Sequence, residues 1–356
     1  MVILLLTKKF HLSNHKKRFG KEYSDDSLTK EASIEENSND VVVILLLSSC
    51  GDKENQRLPE IAIIGKVDNS YWDEVKIGAE RAGKNLGIKV NFYVPPKDDP
   101  AWQIRRLEDI ISKPVSGIAV AASDPKSFTS LMQGIVKLDI PCIALETDVP
   151  KGRHVYIGTR HYYAGQQAAE AMVEMLEPQS EIGIITDPSV PDFLQSVQGF
   201  KDVLAEHNQL MVSEILEKDS RNIQPEDIER WLGSARASSK IDAIFCVSDS
   251  MGFAAANVLE KIGKAGQIKI VCIGESAEIM KSVRQNIIQL AISRRPYRLG
   301  YSSVIVLQNM IKAGVGDTMM VLPKSEMIEL GVIMVVPSNV EEYRRQLLNL
   351  GIKADF

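Results

Sequence analysis

The sequence predicts an α/β protein of two similar lobes, each a doubly wound parallel sheet. Three observations carry this. Short apolar runs alternate with amphipathic helical segments almost without interruption from Glu60 onward. The apolar runs are continuous rather than alternating, as strands covered on both faces require. The alternation restarts near Ile182, and two successive sets of about four strand–helix units argue for two sheets rather than one large one. At 356 residues the chain is long enough for two cores.

In order, Ile61–Ile64 is a buried strand, and Asp73–Leu86 a helix with Val75, Ile77, Ala79, Ala82 and Leu86 on one stripe, stopped by Gly87. Strand Val90–Val94 precedes helix Trp102–Ile111, with Pro100 near its start. Gly117–Ala121 is a strand, Pro125–Lys137 a helix, Cys142–Leu145 and His154–Ile157 strands, and Tyr163–Leu176 a helix. The second set pairs strand Ile182–Thr186 with helix Pro191–His207, and Met211–Leu216 with Pro225–Ala235. Strand Ala243–Val247 leads to helix Met251–Ile262, and Ile268–Ile273 to Ala277–Arg284. Strand Leu290–Ser293, helix Pro296–Lys312 and one strand over Ile328–Val336 complete the pattern.

Composition narrows the function. A hydrophobic fraction of 44% with 25% charged residues is ordinary for a globular protein, and a net charge of -5 supplies no basic face for nucleic acid. Cys142, Cys246 and Cys272 each sit inside an apolar strand-like run and read as small buried hydrophobes, with no zinc spacing among them. Cys50 differs. The apolar run Val41–Leu47 followed by Ser48, Ser49 and Cys50 is too short to span a bilayer and resembles the lipobox of bacterial lipoproteins, with Cys50 as the lipidated residue and Asp52–Arg57 as tether. The residues upstream (Glu35, Glu36, Asp40) are acidic where a secretion signal is usually basic, so the signal is atypical.

In open α/β sheets ligands sit beyond the carboxyl ends of the strands. The residues there are Lys66, Asn69, Tyr71 and Trp72 after the first strand, Ser123 after the third, and Glu146 and Thr147 after the fourth. The second set contributes Asp187, Asp192, Ser248, Asp249, Glu275 and Arg294. Hydrogen-bonding groups beside two adjacent aromatics suit a polyhydroxylated ligand, whose C–H face lies on a ring while its hydroxyls find donors and acceptors. Any one of these residues also fits as a loop residue capping the next helix, and Asp124 before Pro125 reads as such a cap.

The element order, with Asn69-Ser70-Tyr71-Trp72, Ala101-Trp102-Gln103-Ile104, Ile157-Gly158-Thr159, Gly199-Phe200, Val271-Cys272-Ile273-Gly274 and Arg295-Pro296-Tyr297-Arg298-Leu299-Gly300-Tyr301, resembles the ribose/galactose-type (cluster B, type I) periplasmic binding proteins over about residues 58–340. The resemblance implies lobes of residues 58–160 plus 295–323 and 161–293 plus 324–356, after a leader of residues 1–57. It implies a three-segment hinge near Ile157–His161, Ala291–Arg294 and Pro323–Glu326. It gives Asn69, Glu146 and Glu275 contacts to sugar hydroxyls and Tyr71 and Trp72 stacking faces. Ser123 and Ser248 stand where Asn is common and Arg294 where Gln is usual. The family's Arg one turn before Gly199-Phe200 is missing from Phe193-Leu194-Gln195-Ser196, and Asp219 stands where an aromatic often closes the site.

The expected function is capture of a small polar ligand, a monosaccharide or related polyol, by a lipid-anchored, monomeric protein in the periplasm or at the outer face of the cell membrane that delivers it to an ABC permease. No cofactor, metal or catalytic residue is expected. No dinucleotide-binding glycine motif, phosphate loop, zincin pair or nucleophile elbow occurs. Glu146 and Glu275 could imitate a glycosidase pair, but the resemblance gives them a binding role. Two rivals use the same clamp: a sensor feeding a kinase or chemoreceptor, and a repressor-type regulator. The second needs a helix-turn-helix, and residues 1–57 show no such period.

Overall fold

A computed structural model describes residues 58–207, 210–234 and 241–356; the segments carrying the leader and Cys50 lie outside them. The first sheet is built from β1 (Glu60–Ile64), β2 (Lys89–Tyr93), β3 (Gly117–Val120), β4 (Cys142–Leu145) and β5 (Val155–Gly158), with helices α1 (Ser70–Leu86), α2 (Pro100–Ile111) and α3 (Pro125–Lys137) between them. The chain then passes through α4 (His161–Met175) to β6 (Glu181–Thr186), α5 (Pro191–Glu206), β7 (Met211–Glu217), α6 (Pro225–Leu232) and β8 (Ile241–Cys246). Next come α7 (Asp249–Lys261), β9 (Lys269–Ile273), α8 (Ala277–Arg284), β10 (Leu290–Ser293), α9 (Pro296–Ala313) and α10 (Val315–Val321). Two short strands, β11 (Met327–Glu329) and β12 (Ile333–Val335), precede α11 (Val340–Asn349).

The sheet orders are β11-β5-β4-β3-β1-β2 and β12-β10-β9-β8-β6-β7. Apart from the last strand of each, one order repeats the other. Each opening strand, β1 or β6, is flanked by the next two strands in sequence, so the winding direction reverses there and a crevice forms at its carboxyl end. Strands β1, β3, β4, β8 and β9 are almost wholly buried, which accounts for their continuous apolar runs. Cys142, Cys246 and Cys272 are fully buried free thiols within three of these strands.

Helices pack in matching pairs. α9 lies against α1 in the first lobe and α4 against α5 in the second. A Cβ on Gly300 would stand 1.8 Å from the carbonyl oxygen of Val75, and one on Gly165 1.9 Å from that of Ser196, so only glycine lets either pair of backbones meet. Phe200 and Phe245 stack at 4.4 Å in the second core.

The expected strand over Ile328–Val336 is two strands. β11 runs parallel to β5 in the first sheet and β12 antiparallel to β10 in the second. The third crossing between sheets therefore lies at 330–332, with Gly331 at φ 66, and not at Pro323–Glu326; residues 327–329 belong to the first sheet. Sequence showed a nearly unbroken apolar run there and missed the turn. It also missed α10 and α11, although Val340, Tyr343 and Leu347 of α11 recur with helical spacing on its buried face.

Candidate ligand-binding cleft

Crossings between the sheets follow β5, β10 and β11, and one hydroxyl touches all three. Thr159 Oγ1 lies 3.3 Å from the carbonyl oxygens of both Arg294 and Gly331. Arg295, at φ 60, donates from Nη1 to the Leu330 carbonyl at 3.1 Å. Gln103, fully buried on α2, organises the first-lobe loops: Nε2 donates to the carbonyls of Gly65 (2.7 Å) and Ala121 (2.9 Å), and Oε1 accepts from the Ser123 amide (3.0 Å). This single amide sets the exits of β1 and β3 against each other.

Arg294 stands at the centre. Its Nη2 donates to Glu275 Oε1 at 2.6 Å and its backbone N–H to Glu275 Oε2 at 3.1 Å, while the guanidinium carbon lies 4.7 Å from the centre of the Tyr71 ring. Burial alone would lower its pKa, but the Glu275 and Glu146 carboxylates outweigh that and hold the cation. Burial raises the Glu275 carboxyl, and Arg294 offsets part of the shift. Glu146, at φ 56 just past β4, is buried, and its Oε2 has no hydrogen-bond partner. Burial pushes its carboxyl up to about 7 even though Arg294 pulls the other way.

A second group spans the cleft. Lys66 Nζ donates to Thr147 Oγ1, which donates to Asp192 Oδ2 at 3.1 Å; Lys66 Nζ itself is 3.8 Å from that oxygen. His161 Nε2 lies 3.6 Å from it as well, and burial lowers the His161 pKa, keeping the ring neutral. Lys66 and Thr147 follow first-sheet strands; His161 opens α4 and Asp192 lies in the first turn of α5, so the group joins the two lobes.

Other predicted residues serve locally. Asn69 is exposed and caps α1, its Oδ1 accepting from the Trp72 amide at 3.1 Å. Trp72 packs in the first core beside Gly65, and Tyr71, in the same core, meets it edge-on at 5.3 Å. Asp249 Oδ1 accepts from the backbone amides of Glu275 and Ser276, and positions Glu275 from behind. Ser248 Oγ contacts Ser250 Oγ at 3.2 Å. Asp187 is occupied by the amides and hydroxyls of Ser189 and Ser220. Ser123 Oγ is buried without a partner. Asp124 caps α3, as its place before proline predicts. Asp219 is paired with Arg221.

Sequence reasoning missed Glu74. It sits one helical turn after Tyr71, on the buried face of α1 with Val75 and Gly78. Its Oε2 is buried and unpartnered, and burial, together with the charges of Glu275 and Asp249, pushes its carboxyl up to about 8. An acid inside an otherwise apolar helical stripe was the signal. Among the described residues no cluster of three or more His, Cys, Asp or Glu side chains could hold a metal ion.

A family profile described as periplasmic binding protein domain matches residues 61–315. The chain belongs to that family. The D-allose-binding periplasmic protein of Escherichia coli (strain K12) is 22% identical over 270 residues, covering 72% of this chain and 85% of that protein. The D-ribose/D-allose-binding protein of Pseudomonas aeruginosa is 23% identical over 236 residues, 61% of this chain and 71% of its own length. A solved ABC transporter solute binding protein from Burkholderia graminis, in complex with D-arabinose, superposes with a TM-score of 0.71 at 30% identity, covering 80% of this chain and 97% of that one. The two-sheet architecture of this periplasmic binding protein is thus the two-lobed α/β fold of its solved neighbours.

Proposed function

We propose that the protein captures a monosaccharide or related polyol between its lobes on the outer side of the cell membrane and delivers it to an ABC permease. The observation that carries this is Arg294, held between Glu275 of one lobe and the Tyr71 ring of the other. Such a group can fork hydrogen bonds to vicinal oxygens, while an aromatic face and buried carboxylates wait beside it. The relatives named for allose and ribose, and the neighbour solved with D-arabinose, point to the same ligand class. In this reading Lys66, Tyr71, Ser123, Glu146, Thr147, Asp192, Glu275 and Arg294 contribute to the site directly. Asn69, Trp72, Ser248 and Asp249 support its walls. The protein acts as a monomer, tethered through lipid on Cys50, and releases its ligand chemically unchanged.

Calorimetry with D-allose, D-ribose and D-arabinose tests the proposal. Saturable binding of one of them, weakened at least tenfold in Glu146→Gln, is the expected result. Heat without saturation for these sugars and for a wider panel of polyols would reject it.

A further inference from the structure

The carboxylates around the cleft outnumber the cations. Among the described residues, Glu74, Glu146, Glu275, Asp192 and Asp249 gather near the cations Lys66 and Arg294, and His161 is held neutral by burial. Both cations are engaged. The Arg294 guanidinium donates from Nη2 to Glu275, with its Nε unpartnered, and Lys66 is bonded to Thr147 beside Asp192. Asp249 is satisfied by two backbone amides. Beside the unpartnered Arg294 Nε and the hydroxyls of Tyr71 and Ser123, two glutamates stand out, Glu74 at 8% exposure and Glu146 at 6%, each with an Oε2 that meets no donor. Glu275 links them, since its charge acts on both.

A buried carboxyl without a donor resists ionisation, and a neutral hydroxyl does little to change that, because it brings no compensating charge. An ammonium group supplies three donors and a compensating charge. A divalent metal ion does not fit, because the described residues bring no three ligating side chains together. An anionic ligand would oppose ionisation of these carboxyls further. Resting on the reading that the cleft takes a sugar, we infer that the ligand is an amino sugar, a polyol whose ammonium group is held against the wall of Glu74, Glu146 and Glu275. Tyr71, one turn from Glu74 on α1, places an aromatic face beside that wall for the sugar ring.

The test is calorimetry on the full chain at pH 7 with D-glucosamine, D-galactosamine and D-mannosamine against D-glucose, D-galactose and D-mannose, and with the N-acetylated forms as uncharged controls. D-Allose, D-ribose and D-arabinose complete the panel. At least one amino sugar should bind tenfold or more tighter than its parent, and N-acetylation should abolish the gain. Glu74→Gln and Glu146→Gln, each checked for native circular dichroism, should reduce that ratio to within about threefold; if one fails to fold, the other decides. Parent sugars or the neutral panel binding as tightly as the amino sugars would overturn the inference and leave sugar capture standing. A ratio unchanged in a folded glutamine variant would overturn it as well. Silence from every probe would remove the sugar reading and the inference together.

Discussion

Arg294 and Tyr71 meet in a cation–π contact of 4.7 Å that joins a crossing segment to the first helix of the first lobe. The same guanidinium is bonded to Glu275 of the second lobe at 2.6 Å. One side chain at the hinge therefore contacts both lobes. Contacts of this kind contribute about 0.5 to 2 kcal/mol, depending on how dry they are.

Arg294→Gln should lower both stability and affinity. It leaves Glu275 buried without its cation, so the melting temperature of the unliganded protein falls. It also removes a charge-assisted contact, which costs about 1.5 to 3 kcal/mol of binding, or roughly tenfold to more than a hundredfold in affinity. Titration well below the melting temperature checks the second effect independently of the first. Unchanged affinity there would assign Arg294 to the Glu275 pair alone.

The unliganded protein should lose stability as pH rises from about 4.5 to about 8. The Glu74 and Glu146 carboxyls, ordinarily near 4.5, are raised to about 8 and about 7 in the fold. Between the two values the native state holds more protons than the unfolded chain, so deprotonation favours unfolding, and the stability present below pH 4.5 is lost as pH passes the raised values. Glu74→Gln should flatten this slope and stabilise the protein at pH 8, because the amide cannot ionise where burial disfavours the charged form. Melting curves across that range decide it; a steeper slope in the variant would contradict the assignment.

Asp192→Ala should favour the open form. Asp192 accepts from Thr147 and lies near Lys66 and His161, so it clasps the first lobe to the second. Small-angle scattering should show a larger radius of gyration for unliganded Asp192→Ala than for the parent, and a decrease in both on adding ligand. Identical radii in all four samples would dismiss a moving clamp.

Cys50→Ala should leave an unprocessed precursor. The parent should partition with membranes and gain the mass of a lipid at Cys50, and the variant should do neither. Membrane association that survives the substitution would place the anchor elsewhere.

Much of the architecture was legible because it rests on local pattern. Continuous apolar runs mark strands buried on both faces, as in β3 and β4, and proline with an acidic cap marks the start of α3. The list of residues beyond the strand ends followed from topology alone, and it contained Glu146, Glu275, Arg294, Lys66 and Asp192. Pattern could not distinguish members of that list. Asn69 and Asp249 use their oxygens on backbone amides, whereas Glu146 keeps an oxygen free, and both kinds of residue look alike in sequence.

The chain's order of apolar and polar residues was enough to specify two mainly parallel sheets, their helices and the strand ends beyond which a ligand is expected, because periodicity and handedness act over a few residues. Only the folded chain decided which of those residues meet. Thr147 and Asp192 are 45 positions apart, Glu275 and Arg294 are 19, and Thr159 touches Gly331 across 172. The packing of α1 likewise buries Glu74 within reach of the Glu275 charge. Such contacts depend on packing between distant segments, and no local pattern records them.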